Sequence, residues 1–246
     1  MAVTTITTNI CEFDLDGTLV YSIDAIVESW KSLSKQYPEF VVDDDFLHKT
    51  HGVRVFDIIK RYLPKSTKDL TEDEILELSE QFQIDICEKF GGLAKPVTGS
   101  LQFLDSIPQD KWCIVTSGSY NLAIRWFSKV LKIEKPKVFI TADDIPNGEG
   151  KPNPYPYLLG ARNTYKLLES KGELTDDVHE KRVVFEDAPA GIEAGLKSGA
   201  IVIGIASNYD SDYLYKYGAN YVIKDYSSIK VVKHENDLIH LEINYL

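Results

Sequence analysis

The sequence alternates short β-branched and aromatic runs with longer amphipathic segments, and this alternation constrains the fold more than any other feature. It is typical of the α/β class, in which helices cover both faces of a mostly parallel sheet. We therefore expect a three-layer core. The predicted strands lie near residues 10–14, 112–116, 137–141, 182–186, 200–205 and 220–223. The predicted helices lie near residues 98–106, 120–131, 154–169, 190–198 and 210–216.

Residues 20–96 interrupt this alternation, because they carry helical periodicity without a convincing strand. We expect a helical insertion there, with the α/β core formed by residues 1–19 and 97–246. Such an insertion would close over a site as a lid. The end of the chain, residues 229–246, predicts a two-stranded hairpin.

Two aspartates, Asp14 and Asp16, end the first predicted core strand, and Gly17 allows a sharp turn beneath them. Residues i and i+2 of an extended strand point the same way, so both carboxylates could face one site. Two like charges that close repel unless a proton, a cationic side chain or a metal lies between them, and oxygen ligands in a loop favour Mg²⁺. An ordinary surface turn is the alternative interpretation.

Three further polar segments follow predicted strands, and right-handed crossovers bring the carboxyl ends of parallel strands to one edge of the sheet. Thr116 and Ser117 supply hydroxyls near a helix start, where backbone N–H groups can bind an anion. Lys151 is restrained by the proline that follows it. Glu186 and Asp187 follow a buried strand. Helix caps and a solvated lysine are the alternatives, but convergence with the aspartates favours a site.

In chain order, these four segments resemble the motifs of the haloacid dehalogenase superfamily of phosphotransferases, and the resemblance covers the whole chain. The insertion resembles the cap of the β-phosphoglucomutase-like branch. Within that branch, three segments resemble the fungal 2-deoxyglucose-6-phosphate and glycerol-phosphate phosphatases: residues 51–54, 135–141 and 184–191. The resemblance implies a Rossmann-like core with an inserted helical cap domain, and a Mg²⁺-dependent phosphatase of small sugar or polyol phosphates.

The resemblance also implies catalytic and metal-binding roles. Asp14 would attack phosphorus and form an aspartyl-phosphate. Asp16 would protonate the leaving alkoxide and later deprotonate the water that hydrolyses the intermediate. Mg²⁺ would be held by Asp14, by the backbone carbonyl of Asp16 and by Asp187, with Glu186 acting directly or through water.

Substrate binding is expected from both the core and the insertion. By the same resemblance, Lys151 would stabilise the phosphoryl charge, and Thr116 or Ser117 would hold its oxygens. The main contact stays open between those two residues because the strand register there is uncertain by one residue. In the insertion, His51 and Arg54 are candidates for reaching the hydroxyls or phosphate of the substrate. The alternatives are the end of a helix turn and a surface cation.

Two other functions stay open. A phosphosugar mutase of the same branch carries a basic residue in the first cap helix, and residues 22–26 contain no His, Lys or Arg, which favours a phosphatase. A non-catalytic module that binds a phosphorylated metabolite would not need both Asp14 and Asp16. Dehalogenases of the superfamily lack the second aspartate, so Asp16 argues for phosphate chemistry.

The formal net charge is -11, from 38 acidic and 27 basic residues, which argues against nucleic acid or an anionic membrane surface as a partner. The first ten residues have neither a basic leader nor an apolar stretch of signal-peptide length. We therefore expect a cytoplasmic protein. We also expect a monomer, and the resemblance implies a small phosphorylated metabolite as its partner. Cys11, Cys87 and Cys113 are expected to be buried reduced thiols.

Overall fold

The computed structural model describes residues 2–37, 39–63, 70–171 and 181–246. Its strands, in chain order, are β1 (Ala2–Thr8), β2 (Ile10–Phe13), β3 (Val20–Tyr21), β4 (Lys95–Pro96), β5 (Trp112–Val115), β6 (Phe139–Ile140), β7 (Arg182–Glu186), β8 (Ile201–Ile205), β9 (Tyr221–Ile223), β10 (Ile229–Glu235) and β11 (Leu238–Tyr245). Its α-helices are α1 (Ile23–Ser34), α2 (Asp44–Thr50), α3 (Val55–Tyr62), α4 (Glu72–Phe90), α5 (Ser100–Asp105), α6 (Tyr120–Arg125), α7 (Tyr155–Ser170), α8 (Pro189–Lys197) and α9 (Ser211–Lys216).

Six strands form a parallel sheet in the order β6-β5-β2-β7-β8-β9. They correspond to the six strands predicted for the core, so the expected α/β class is confirmed. The strand order reverses at β2, which lies between β5 and β7. In open α/β sheets, ligands bind beyond the carboxyl ends of the strands at such a switch point.

Both faces of this sheet are buried, because alternate residues of a strand belong to different apolar clusters. In β5, Ile114 packs in the cluster that contains Phe103 of α5, whereas Val115 packs in the cluster that contains Tyr157 of α7. Ile114 and Val115 are both fully buried. Helices therefore cover the sheet on both sides, as the continuous apolar runs of its strands predict.

A second sheet is antiparallel and has the order β1-β11-β10. Its strands β10 and β11 form the predicted hairpin, which turns at Asn236 and Asp237, both with positive φ. A third strand, which the sequence did not predict, joins this hairpin, because β1 pairs along β11 from Ala2 to Thr8. The polar threonines of β1 hid this strand in the sequence, since only part of one face of β1 is buried.

The helices α1 to α4 lie between β3 and β4, which pair antiparallel where the chain leaves and re-enters the α/β core. Apolar side chains hold the four helices together, and the ring centroids of Trp30 and Phe82 are 4.1 Å apart. Helix α4 begins with a capping box between Thr71 and Glu74. The predicted insertion also includes residues 38 and 64–69, which lie outside the described residues.

In the described ranges, no helix combines the length and the apolar composition that crossing a bilayer requires. The three cysteines are buried free thiols, as expected.

Candidate active site

The loop after β2 is shaped by a glycine. Gly17 has a φ of +85°, and a Cβ at this position would lie 2.0 Å from Oδ2 of Asp187. A side chain here would therefore be strained and would also displace that carboxylate. The missing side chain lets the turn bring Asp14 and Asp16 against the segment that follows β7.

Lys151 lies at the centre of the buried charges. Its Nζ is 2.7 Å from Oδ1 of Asp14, 2.7 Å from Oε1 of Glu186 and 2.9 Å from the carbonyl oxygen of Val115. The side chain is almost fully buried. Burial disfavours its charge, but the carboxylates of Asp14 and Glu186 outweigh that penalty and raise the pKa of Lys151 to about 12. Lys151 is therefore a fixed cation beside Asp14 at neutral pH.

Glu186 is fixed by backbone groups as well as by Lys151. Its Oε2 accepts hydrogen bonds from the backbone N–H groups of Asp187 and Ala188, at 3.0 and 3.1 Å. The hydroxyl of Tyr157 donates to its Oε1 at 2.8 Å. Gly191 leaves the space for this carboxylate, because a Cβ there would overlap Oε1. Glu186 thus has a defined orientation.

Asp187 accepts hydrogen bonds from three side chains. Asn208 donates to its Oδ2 at 2.9 Å, and Nε2 of His51 lies 3.2 Å from the same oxygen. Thr18 donates to Oδ1 at 3.3 Å. The carboxylate is fully buried. One aspartate therefore joins the acidic loop, the insertion and the loop after β8.

The carboxylates of Asp14, Glu186 and Asp187 fit a divalent metal. One oxygen from each lies within 4.8 Å of the others, and all three residues are buried. Lys151 compensates only one of these three charges. Burial, followed by repulsion from Glu186, raises the pKa of Asp14 well above its usual value. Oxygen ligands with excess buried negative charge are the donor set that a hard divalent cation prefers.

Asp16 turns away from this cluster. Its Oδ1 accepts hydrogen bonds from Oγ of Ser22 at 2.6 Å and from Nε1 of Trp126 at 2.8 Å. Burial raises the pKa of Asp16, against the opposing effect of these two hydrogen bonds. A carboxyl group with a raised pKa, held beside a cavity, suits proton transfer.

The loop after β5 approaches the same place. Oγ1 of Thr116 accepts the backbone N–H of Gly118 at 3.0 Å, so this hydroxyl shapes its own loop. Ser117 donates to the carbonyl oxygen of Gly52, in the insertion, at 2.8 Å. Both residues line a cavity together with Asp14.

This cavity has a volume of about 230 Å³ and lies between the helical insertion and the sheet edge. Its floor includes Asp14 and Asp16. Its lining is largely apolar, and four of the apolar residues come from α1. The apolar residues of α1 that line it are Ile23, Ile26, Val27 and Trp30. Polar side chains at its sides are His48, Thr50, His51, Gln83, Asn208 and Tyr209.

The two candidates from the insertion differ in position. His51 lines the cavity, with Nδ1 3.2 Å from the hydroxyl of Tyr209. Burial disfavours the charge of His51, but the carboxylate of Asp187 outweighs it and raises the pKa of the imidazole. Arg54 is buried elsewhere: it pairs with Asp57 at 2.9 Å and donates to the carbonyl oxygen of Ile145 at 2.9 Å. It is not among the described residues that line this cavity.

Four residues that contact the candidate catalytic or metal-binding side chains were not predicted from the sequence as site residues: Ser22, Trp126, Tyr157 and Asn208. Asn208 follows β8 at the edge where the other polar loops meet, so the same edge rule could have found it. Ser22, Trp126 and Tyr157 lie at a helix start or within helical turns, where the sequence gives no local sign of a role. Their positions depend on how the helices pack.

The buried acidic cluster and its lysine lie at the carboxyl edge of a parallel sheet, where proteins of the α/β class bind their ligands. Residues 12–205 match the haloacid dehalogenase-like hydrolase family. The chain therefore belongs to this family, and the predicted family is confirmed.

Named relatives agree with this assignment. The chain is similar to 2-deoxyglucose-6-phosphate phosphatase 1 of Saccharomyces cerevisiae, at 39% identity over 96% of this chain and 95% of the relative. It is 35% identical to glycerol-1-phosphate phosphohydrolase 1 of the same yeast, over 96% of this chain and 89% of the relative. Hexitol phosphatase A of Escherichia coli is 31% identical to the chain, over 91% of this chain and 94% of the relative. These matches confirm the predicted enzyme class, a hydrolase whose named relatives are phosphatases.

Solved structures show the same fold. A hydrolase from Pseudomonas syringae has a TM-score of 0.69 at 27% identity and covers 88% of this chain and 93% of its own. A proposed β-phosphoglucomutase from Bacteroides vulgatus has a TM-score of 0.64 at 26% identity. The match covers 89% of this chain and 84% of the mutase chain. The expected β-phosphoglucomutase-like branch agrees with this likeness.

Proposed function

We propose that this protein is a Mg²⁺-dependent phosphatase of small sugar or polyol phosphates, of the 2-deoxyglucose 6-phosphate or glycerol phosphate type, and that it works through an aspartyl-phosphate. One observation carries the proposal. Asp14 and Asp16 both line one cavity. Lys151, Glu186 and Asp187 lie next to Asp14 but are not among the described residues that line that cavity. This arrangement supplies a nucleophile and a proton carrier to the same small molecule.

The acidic cluster supports a role for Mg²⁺, which would lower the repulsion between Asp14 and a phosphate dianion. Its ligands would be the carboxylates of Asp14 and Asp187 and the backbone carbonyl of Asp16. Glu186 would contribute directly or through water. Thr18 and Asn208 orient Asp187, as hydrogen bonds to metal ligands commonly do.

The residues of the chain would then act in two half-reactions. A carboxylate oxygen of Asp14 attacks phosphorus, and the bond between phosphorus and the ester oxygen breaks. Asp16 donates its proton to the departing alkoxide. Asp16 then takes a proton from a water molecule, which attacks the phosphorus of the aspartyl-phosphate, releases inorganic phosphate and restores Asp14. Lys151 stabilises the charge throughout, with Thr116 or Ser117 near the phosphoryl oxygens.

The cavity supports a small substrate. Its volume of about 230 Å³ lies below the range of roughly 300–1,000 Å³ that is common for drug-sized ligands. His51 and Asn208 are polar residues of its lining, and α1 contributes apolar residues. The named relatives that act on deoxyglucose phosphate, glycerol phosphate and hexitol phosphate agree in substrate size.

We also propose that residues 20–96 act as a cap domain over a core of residues 1–19 and 97–246. Contacts from the insertion to Asp187 and Ser117 support this division. A monomeric state, a cytoplasmic location and the absence of a nucleic-acid or membrane partner stay predictions.

A panel of phosphate esters tests the proposal. With Mg²⁺ present, purified protein should release phosphate from at least one of 2-deoxyglucose 6-phosphate, glycerol phosphate and hexitol phosphates. Asp14→Asn should abolish release, and Asp16→Asn should lower kcat by about 10²–10⁴-fold. Asp105→Asn, which changes an exposed aspartate, is the matched control and should be active.

The same panel separates the alternatives. An isomerised phosphosugar without free phosphate would indicate a mutase. Metal-dependent binding of the ester with zero turnover would indicate a non-catalytic module. Activity that survives Asp14→Asn would contradict the nucleophile assignment.

A further inference from the structure

Several polar contacts between the helical insertion and the core involve the loops that carry the candidate catalytic residues. His51 reaches Asp187, and Gly52 accepts from Ser117. Oε1 of Gln83 accepts the backbone N–H of Ser119 at 2.6 Å. The insertion is therefore in contact with the loops after β5 and β7. Arg54 adds a contact with the segment that leads to Lys151.

Arg54 is a buried cation whose donors are engaged within the protein. Only 4% of the surface of Arg54 is exposed. Nη1 donates to the carbonyl oxygen of Ile145 at 2.9 Å and lies 3.4 Å from that of Pro146, while Nε donates to Asp57 at 2.9 Å. These bonds join the start of α3 to the loop between β6 and α7. A buried guanidinium that satisfies fixed carbonyl groups restrains the loop that carries them.

The same side chain packs against Gly150, the residue directly before Lys151. A Cβ at Gly150 would lie 2.9 Å from Nε of Arg54 and 3.2 Å from its Cδ. This close approach places the Arg54 side chain against the backbone immediately before the lysine. Lys151 in turn holds Asp14 and Glu186, each at 2.7 Å. A short path of contacts thus joins α3 to the candidate nucleophile.

The position of Arg54 argues against direct contact with substrate. It lines a second cavity, of about 200 Å³, between the insertion and the loop after β6. Among the described residues, those that line the cavity of Asp14 do not include Arg54. The guanidinium therefore faces the loop before Lys151 rather than the space in which an ester would react.

We propose that Arg54 is a positioning residue that couples the docking of the insertion to the placement of Lys151. This inference rests on the proposed phosphatase function for its kinetic consequence. Loss of Arg54 shifts the loop that carries Lys151, so the chemical step suffers for every ester alike. A residue that bound substrate would instead raise KM for particular esters.

The test compares Arg54→Ala, Arg54→Lys and Gly150→Ala with Arg61→Ala, which removes an exposed cation of the same helix. The assay is phosphate release from 2-deoxyglucose 6-phosphate, glycerol phosphate and p-nitrophenyl phosphate with Mg²⁺. Arg54→Ala should lower kcat by about 10- to 100-fold, by the same factor on each ester, with KM nearly unchanged. The kcat of Arg54→Lys should lie between those of Arg54→Ala and the unchanged protein, because lysine keeps the charge but lacks the planar guanidinium with its several donors.

Gly150→Ala should lower kcat in the same way, since its Cβ displaces the guanidinium. The double variant should lose little beyond Arg54→Ala, because the two changes remove one shared contact. A selective rise in KM on one ester, or unchanged kinetics in Arg54→Ala, would overturn the inference.

Hydrogen exchange separates this inference from the proposed function. If the unchanged protein releases no phosphate, the proposed function fails, but the loop can still be measured. Backbone amides in residues 145–153 should exchange faster in Arg54→Ala than in Arg61→Ala, including that of Glu149, which donates to Pro146. Equal exchange in the two variants would overturn the positioning role.

Discussion

Nε1 of Trp126 donates a hydrogen bond to Oδ1 of Asp16 at 2.8 Å, across 110 residues of sequence. Trp126 begins the π-helical turn that continues α6, and its side chain is fully buried. A rigid indole thus fixes the carboxyl group proposed to carry protons. Single π-helical turns within helices are frequent at functional sites.

Removal of this donor should change the pH dependence of catalysis. The hydrogen bonds from Ser22 and Trp126 lower the pKa of Asp16, so Trp126→Phe should raise that pKa. Because the leaving alkoxide needs protonated Asp16, the alkaline limb of kcat/KM should move to higher pH, and kcat should fall by about 10-fold. The measurement is a pH–rate profile. Trp112→Phe, in the core, is the control, and an unmoved limb in Trp126→Phe would contradict the assignment.

Replacement of Lys151 should expose the repulsion within the acidic cluster. Lys151→Met leaves Asp14 and Glu186 buried without their shared cation, so the free energy of unfolding should fall by about 3–5 kcal/mol. Mg²⁺ should restore part of it, because a divalent cation can take over the charge. Denaturant unfolding with and without Mg²⁺ measures both effects. Lys89→Met, which breaks an exposed pair with Asp85, should have little effect; an equal loss in both variants would refute the prediction.

Loss of a carboxylate ligand should weaken metal binding. Asp187→Asn replaces a buried charge by a neutral amide beside Asp14 and Glu186. Calorimetric titration with Mg²⁺ should show affinity lowered by at least about 10-fold, and activity should need more Mg²⁺ for saturation. Asp212→Asn, at an exposed position, should bind as before. Unchanged affinity in Asp187→Asn would remove this residue from the ligand set.

Glu12 should make stability depend on pH. Burial raises the pKa of its carboxyl group from 4.5 to about 8, despite the pairing with Arg182. Between these values the folded protein holds a proton that the unfolded chain has lost, so stability falls as pH rises through this window. The slope is about 1.4 kcal/mol per pH unit at most. Glu12→Gln should reduce this dependence of the free energy of unfolding on pH between pH 4.5 and about 8, as measured by denaturant unfolding. Glu242→Gln, in the antiparallel sheet, is the control, and an unchanged slope in Glu12→Gln would disprove the effect.

Much of the core was predictable because its signals are local. Each parallel strand is a short apolar run, and each run forms a strand of the parallel sheet where expected. The segments with Asp14, Lys151 and Asp187 could be placed at one edge because parallel strands end on the same side. The structure brings these side chains together, while their catalytic roles stay predictions.

Other features were not predictable because they depend on packing between distant segments. The threonines of β1 carry no strong strand signal, and only the pairing with β11 makes them a strand. Arg54 looked like a candidate for substrate contact, whereas the structure places its guanidinium against Ile145 and Asp57. Nothing near Arg54 in the sequence specifies those partners.

The sequence by itself determined the class of fold, the family and the order of the acidic, hydroxyl and lysine segments, because periodicity and strand ends are properties of neighbouring residues. Only the tertiary structure decided which side chains touch. Trp126 reaches Asp16 because its helical turn packs over the loop after β2. His51 reaches Asp187 because the insertion packs against the loop after β7. Such contacts form between residues far apart in the chain, so their geometry is fixed by close packing rather than by local pattern.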